Sequence, residues 1–351
     1  MKKILVVSPF PPPYGGMAVQ AEKLCVNLKK EGFIVDKAET NITLSGPFRL
    51  FESIPVVRTF LRVLIFLFKL QKKLKKTDTV FFLTGFYNFF FWITLPSIIL
   101  IKIYKKKIIL SARGGGAKSF FKKYRFFCRF IIKKADYIIV PSEFLKNIFL
   151  EELGIKTTIV PNIADLDQFT FLKRNKFNPK LIVTRSLEEI YGIDTIIKSF
   201  YELQKSFPEA ELGIAGGGSL KKELKNLVNK LGIQDKVCFY GEVEHKKLPF
   251  IYSKYDIFVN SSKIDNLPGS ILEAFASGLP VVSSNSGGIP FMVKNNYSGL
   301  LCNADDYLAL TSNILKVIND PGLGTYLSAN GFKELKNYTW PNIKTIILPI
   351  L

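Results

Sequence analysis

Asp265-Asn-Leu-Pro-Gly-Ser-Ile-Leu-Glu273-Ala-Phe-Ala-Ser-Gly-Leu-Pro280 decides how this chain is read. Two carboxylates stand eight positions apart, with Pro268-Gly269-Ser270 between them. The second lies on a short predicted helix that Gly278 and Pro280 close. The apolar pair Val281-Val282 follows, then Gly287-Gly288. A helix N-terminus carries unpaired N–H donors and partial positive charge, so it suits phosphate. Carboxylates beside it accept hydrogen bonds from neutral hydroxyls, as on ribose or a sugar. A nucleotide-sugar presents both kinds of group.

Outward from that stretch, short apolar runs alternate with longer amphipathic segments. Strands are predicted at Leu181–Thr184, Glu211–Ala215, Val237–Tyr240, Ile257–Asn260 and Val281–Ser284. Helices are predicted at Asp194–Phe207, Leu220–Leu231, Leu248–Tyr255 and Tyr307–Asn319. The first half has the same rhythm: strand-like Ile4–Val7, Val80–Leu83, Ile108–Leu110 and Tyr137–Val140, helices at Met17–Glu31 and Ser119–Lys134, and another opened by Ser142-Glu143. Such alternation predicts the α/β class, with parallel sheets covered on both faces. Asp165 to Pro179 is polar and irregular and reads as a linker. The expected domains are 1–164, a linker at 165–179, 180–330, and a segment 331–351 returning toward the first domain. Two Rossmann-like domains in tandem predict a cleft at the carboxyl ends of their strands.

The 351 residues suffice for two cores. The formal net charge of +20 is lopsided. Residues 1–160 carry 28 Lys and Arg against 10 Asp and Glu, leaving +18; residues 161–351 carry 21 against 19, leaving +2. Cys25, Cys128, Cys238 and Cys302 are scattered, and there is a single histidine. That argues against a zinc site and a disulfide framework, and for a reducing cytoplasm. The opening Met1-Lys-Lys-Ile-Leu-Val-Val-Ser-Pro9 imitates a signal peptide, but its short, proline-ended apolar run reads as a buried strand. Residues 79–101 are uncharged and long enough to span a bilayer, yet Gly85, Tyr87-Asn88 and Pro96 split them into a strand-like and a helix-like piece. Residues 54–76 form an apolar helix with a basic end. It suits either a membrane interface or core packing with a solvated terminus.

Three more loops follow predicted strands. Gly15 and Gly16 permit close backbone approach to a ligand, although an ordinary strand-to-helix turn also uses such a pair; G-x-G-x-x-G is absent. Arg185, just past a strand end, can hold a diphosphate bidentately or be a surface arginine. Ala215-Gly216-Gly217-Gly218-Ser219 leads into a helix and can be a plain flexible turn. The last two share one sheet edge with Asp265 and Glu273, which joins them in one site.

The order strand-Gly15-Gly16, Pro141-Ser-Glu, Val160-Pro-Asn, Arg185…Tyr191-Gly-Ile-Asp, Ala215-Gly-Gly-Gly, Phe239-Tyr-Gly, Asp265-x7-Glu273-Ala, Gly278-Leu-Pro-Val-Val, Gly287-Gly-Ile-Pro and Tyr338-Thr-Trp resembles the retaining glycosyltransferases of family 4. The resemblance covers nearly the whole chain and is strongest over 181–302. It implies the GT-B fold, two Rossmann-like domains facing across a cleft. It implies that Glu273 binds the donor ribose. Asp265 stands where the family usually has glutamate and would contact the transferred sugar from an arm one methylene shorter. Arg185 matches the arginine that neutralises the donor diphosphate; the lysine that assists it is replaced by Tyr191. Gly15 and Gly16 match the loop approaching donor phosphates and acceptor. Gly216, Gly217, the backbone at Gly241–Val243, and Asn266, Leu267, Pro268, Gly269, Ser270 and Ile271 complete the implied donor contacts. Where the family often has a histidine, after Ile108–Ser111, this chain has Arg113. Arg113 can hold phosphate or acceptor but cannot shuttle protons at neutral pH. His245, in a charged stretch, reads as a solvated surface residue.

The expected function is transfer of a sugar from a UDP-, GDP- or ADP-sugar to an acceptor hydroxyl, with retention of configuration. Arg185 and backbone dipoles would stabilise the leaving diphosphate, with no metal or other cofactor. Asp265 and Glu273 flank a helix start and do not read as a hydrolase acid–nucleophile pair. The basic, aromatic-rich first half suggests a lipid-linked saccharide acceptor at an anionic membrane, hence cell-surface polysaccharide synthesis by a cytoplasmic protein peripheral to the membrane's inner face. No nucleic-acid module accompanies the charge, so nucleic acid is not an expected partner. Two other readings stay open: a sugar-nucleotide epimerase or hydrolase on the same fold, and a catalytically weak nucleotide-sugar-binding protein.

Overall fold

Apolar runs without polar alternation become the central strands of two parallel sheets. The computed structural model describes every residue except Pro13, Tyr14, Ser45, Gly115 and Asp165, and the side chains of Pro47, Phe48 and Phe51. Pro13-Tyr14 of the first glycine loop, Gly115 after Arg113, and Asp165 at the start of the expected linker therefore lie outside the described residues. The chain divides into two units: Met1–Ile163 with Trp340–Leu351, and Ala164–Thr339.

Unit one contains strands β1 (Lys3–Ser8), β2 (Ile34–Glu39), β3 (Thr79–Thr84), β4 (Lys107–Ala112), β5 (Tyr137–Val140) and β6 (Thr158–Ile159), paired in parallel in the order β2-β1-β3-β4-β5-β6. β3 is buried along its whole length, as a strand covered on both faces must be. Its helices are α1 (Gly16–Lys30), α2 (Pro55–Leu74), α3 (Leu95–Ile103), α4 (Ala117–Ile132) and α5 (Glu143–Leu153). The predicted cap at Ser142 is present: its Oγ accepts from Leu145 N–H at 3.3 Å. Helices α2 to α5 cover one face of the sheet, and α1 covers the other together with Trp340–Leu351.

Unit two contains β7 (Lys180–Thr184), β8 (Glu211–Ala215), β9 (Val237–Gly241), β10 (Ile257–Asn260), β11 (Val281–Ser284) and β12 (Leu300–Cys302), all parallel, in the order β12-β11-β10-β7-β8-β9. Its helices are α6 (Ile193–Gln204), α7 (Lys221–Lys230), α8 (Leu248–Tyr252), α9 (Gly269–Ala276), α10 (Tyr307–Asn319) and α11 (Pro321–Glu334); a last helix, α12 (Trp340–Ile347), belongs to unit one. The strand order reverses direction at β7. The carboxyl ends of β7 and β10 therefore flank a topological switch point, where open α/β sheets bind ligands.

Two expectations need correction. Of the expected linker 165–179, residues 166–179 are not free: Phe169 and Phe177 are buried in the core of unit two. Arg174 pairs with Asp256 at 3.1 Å there and donates to the carbonyls of Tyr255, Ser277 and Gly278. Residues 331–339 also stay in unit two; the chain joins unit one only at Trp340, where Trp340 Nε1 and Lys344 Nζ donate to Glu31 at 2.9 and 3.0 Å. The uncharged run 79–101 is shared among β3, a π-helical turn at Phe90–Thr94 and α3. Among the described residues no helix is long and apolar enough to cross a membrane.

Candidate functional site

Arg185 leaves the carboxyl end of β7, and Asp265 lies in the loop between β10 and α9, so the switch point brings them together. Arg185 Nη2 donates to Asp265 Oδ2, and both side chains are mostly buried. The guanidinium lies over the Tyr191 ring, its carbon 4.1 Å from the ring centroid. Tyr191 thus holds Arg185 from the side at which the resemblance implied a lysine. Asp265 Oδ1 accepts from Asn266 N–H at 2.7 Å. Burial raises the Asp265 carboxyl above the usual carboxylate range; Arg185 and the N–H groups of Asn266 and Leu267 pull it back only in part. A carboxylate so perturbed by burial beside a specific charge partner is a functional-site candidate.

Glu273 projects from α9 into a hydrogen-bonded chain. Its Oε2 accepts from Tyr252 O–H at 3.0 Å, and its Oε1 lies 3.0 Å from His245 Nε2. Tyr252 is fully buried, 2.6 Å from Thr184 Oγ1 at the end of β7. Burial, and then the neighbouring Glu273, push the Tyr252 phenol well above its usual range, so it remains a donor. His245, read as a solvated surface residue, is half exposed, but it also bonds to a mostly buried acid. Two polar atoms nearby, Arg185 Nε and Ser270 Oγ, are buried with no protein partner. Ser270 is the second residue of α9, whose N-cap, Pro268, supplies no side-chain hydrogen bond. Within the segment Asn266 to Ile271, the N–H groups of Asn266 and Leu267 go to the Asp265 carboxylate and that of Ile271 goes to Pro268 O at 3.2 Å, so the helix start beside Arg185 offers a ligand the N–H groups of Gly269 and Ser270.

Glycines hold these loops together by close approach. A Cβ on Gly216 would lie 1.9 Å from the Arg185 carbonyl oxygen, and one on Gly288 would lie 1.8 Å from that of Asn266. Gly217 donates no such backbone clash but faces Glu242; its carbonyl accepts from Leu187 N–H at 2.8 Å. Gly288 N–H donates to Asp265 O at 2.7 Å. The shortened acid arm is thereby matched by a tightly held loop. Val243, just past β9, packs against the core cluster that contains Tyr252.

The remaining predicted residues lie in unit one. Gly15 caps and Gly16 opens α1, after the loop that follows β1. A side chain at either would meet only open space, so packing does not require glycine there. Arg113 follows β4; its Nη1 donates to Asn162 and its Nε to Ser111 Oγ at 3.1 Å. Burial lowers its guanidinium to about 10, still a cation at neutral pH. The outer face of this unit is unusual. On α2, Val63, Phe66, Leu70 and Leu74 are buried while Val56, Phe60, Leu64 and Phe68 are exposed. The helix is therefore apolar on two faces, one packed in the core and one exposed. Ile99 and Ile103 of α3 continue the exposed apolar surface, across a groove of about 390 Å³ lined by Phe68 and Leu100. Phe126 and Phe130 of α4 are 87% and 64% exposed. Lys72 lies over Phe68 and Lys134 over Phe130, at 4.3 and 4.2 Å from the ring centroids.

Two family models match the chain in tandem: Glycosyltransferase Family 4 over residues 14–168, and Glycosyl transferases group 1 over residues 167–334. An uncharacterized glycosyltransferase of Methanocaldococcus jannaschii is 33% identical over 216 residues, 54% of this chain and 52% of that protein. The GDP-mannose-dependent alpha-(1-6)-phosphatidylinositol monomannoside mannosyltransferase of Mycolicibacterium smegmatis is 25% identical over 226 residues, 59% of this chain and 59% of that protein. The chain spans about half the length of the first curated relatives it matches. The sucrose-phosphate synthase of Thermosynechococcus elongatus superposes with a TM-score of 0.79 at 19% identity, over 100% of this chain and 98% of that one, and so shares its fold. With both halves matched in order and the GT-B fold reproduced, the chain belongs to the group 1 glycosyltransferases, of the family 4 type.

Proposed function

We propose that this chain moves a sugar from a nucleoside-diphosphate sugar to an acceptor hydroxyl, with retention of configuration. The observation that carries this reading is the convergence of Arg185, Asp265, Glu273 and the uncapped start of α9 at the switch point of unit two. In the proposed reaction Glu273 receives the donor ribose, and Arg185 with the α9 N–H groups receives the diphosphate. As the C1–phosphate bond breaks, these donors take up the developing charge, with no step assigned to a metal. The acceptor oxygen bonds to C1 from the same face, and the departing phosphate oxygen takes its proton. Thermal-shift screening of UDP-, GDP- and ADP-sugars is the direct test. A donor at 100 times its Kd should stabilise the protein by about 2.7 kcal/mol, and Glu273→Ala should lose both the shift and transfer. Donor consumed without acceptor would point to a hydrolase or epimerase, and binding without transfer to a binding protein. A product of inverted anomeric configuration would remove retention.

The proposed acceptor is a lipid-linked saccharide, used in cell-surface polysaccharide synthesis at the cytoplasmic face of an anionic membrane. Support comes from the exposed apolar residues of α2, α3 and α4 among lysines and arginines, and from the lipid acceptor in the name of the Mycolicibacterium relative. An apolar side chain entering the interface contributes ~1.5–3 kcal/mol at full burial, and a basic one near the surface ~1 kcal/mol. The protein should sediment with anionic vesicles and be released by salt. Phe126→Ser with Phe130→Ser should weaken binding about 10-fold or more. Equal binding to neutral vesicles would count against the charge component, and no binding to either against the membrane reading.

A further inference from the structure

We propose that His245, the single histidine of the chain, is a positioning residue that fixes Glu273 for the donor ribose. The inference rests on the donor reading above. His245 stands in a 3-10 turn, His245–Lys247, between β9 and α8. Gln168 Nε2 lies 2.5 Å from its Nδ1. An amide nitrogen can only donate, so Nδ1 accepts and the ring proton sits on Nε2. Nε2–H therefore donates to Glu273 Oε1 at 3.0 Å, while Tyr252 O–H donates to Oε2 at 3.0 Å. Phe169 packs edge-on against the imidazole, with centroids 5.7 Å apart, and fixes its plane.

A carboxylate offers about four lone-pair sites. One protein donor on each oxygen leaves two sites, which matches the two hydroxyls of a ribose diol. Without His245 the carboxylate is held at Oε2 alone and can turn about its last torsion, so ribose binding must order it first. The ring is half exposed, so its loss removes little buried area and leaves folding largely untouched. Gln168 and Phe169 come from the segment that sequence alone reads as a linker, which gives that segment a role in the site.

The test uses the full chain and measures Kd by calorimetry for UDP, GDP and ADP and for their 2′,3′-dideoxy counterparts. Proteins are wild type, His245→Phe and His245→Gln. Phenylalanine keeps the contact with Phe169 but has no donor; glutamine restores an N–H toward Glu273. The wild type should prefer the ribose form of its nucleotide by about 30-fold. His245→Phe should shrink that preference to about 3-fold while binding the dideoxy form as the wild type does, and His245→Gln should recover most of it. In transfer assays KM for donor should rise with kcat nearly unchanged, as expected for an interaction equal in ground and transition states. A His245→Phe protein with the wild-type ribose preference, or one that loses affinity equally for both forms, overturns the inference and leaves the donor reading standing. A wild type that binds none of the three nucleotides overturns both.

Discussion

Replacing Arg185 with alanine should lower kcat/KM for sugar transfer by about 10³-fold, and lysine should recover little of the loss. Three features set that size. Arg185 directly follows β7, a central strand of unit two, and its N–H donates to Ala215 O at 3.0 Å, which fixes its backbone. Its guanidinium is held in plane by Tyr191 and oriented by Asp265, which leaves Nε buried and unpaired. A lysine has neither the plane for stacking nor the rigid fork for a bidentate grip. Stability carries a second signature. Removing Arg185 strands Asp265 as a buried carboxylate, at about 2–3 kcal/mol, below the ~3–5 of a fully enclosed pair. Burial already raises the folded-state pKa of Asp265 above its unfolded value, and loss of Arg185 raises it further. Such a group contributes stability that is present below the unfolded pKa and is lost as pH rises through the folded pKa. The Arg185→Ala deficit should therefore be smaller at pH 5 than at pH 8 in denaturant titrations. Transfer within about 3-fold of wild type, well short of one removed donor, would take Arg185 out of the chemistry.

Arg185, Asp265 and Glu273 were legible in the sequence because each follows a strand of one parallel sheet, and parallel strands end at one edge. What stayed hidden has physical causes. β2 reads Ile34-Val-Asp-Lys-Ala-Glu39, and its exposed edge position tolerates the charges that conceal a strand. Phe169 and Phe177 anchor residues 166–179 as isolated aromatics among polar neighbours, with no periodicity to betray them. Tyr252 and His245 find Glu273 from 21 and 28 residues away, through a loop whose course no local pattern specifies. The resemblance implies that Gly216 is a donor contact, yet its nearest constraint is the Arg185 carbonyl oxygen. Glycines at such loops serve the protein's own backbone first, and the ligand reading has to rest on the side chains.

That distinction can be put to the test at Gly288, where alanine should be as damaging as loss of a site side chain. The residue touches no predicted ligand group, but its Cα packs against the loop that holds Asp265. An added Cβ would stand 1.8 Å from Asn266 O and 2.8 Å from its carbonyl carbon. Both are backbone atoms, so no rotamer change relieves the clash; the loop must move by more than an ångström. Overpacking of this kind costs about 1–3 kcal/mol, and the bond from Gly288 N–H to Asp265 O at 2.7 Å is strained with it. A displacement of ~1 Å at a reacting centre lowers rate by ~10²-fold, because Asp265 and the start of α9 move together. Gly15→Ala, where the same methyl meets open space, is the matched control for melting. If Gly288→Ala melts with the wild type and transfers sugar at its rate, the glycine contact does not set the position of the acid loop. If Gly288→Ala loses about 10²-fold in transfer yet stays folded, the geometry of that loop limits the reaction, and the aspartate at 265 works only because the glycine turn draws it in.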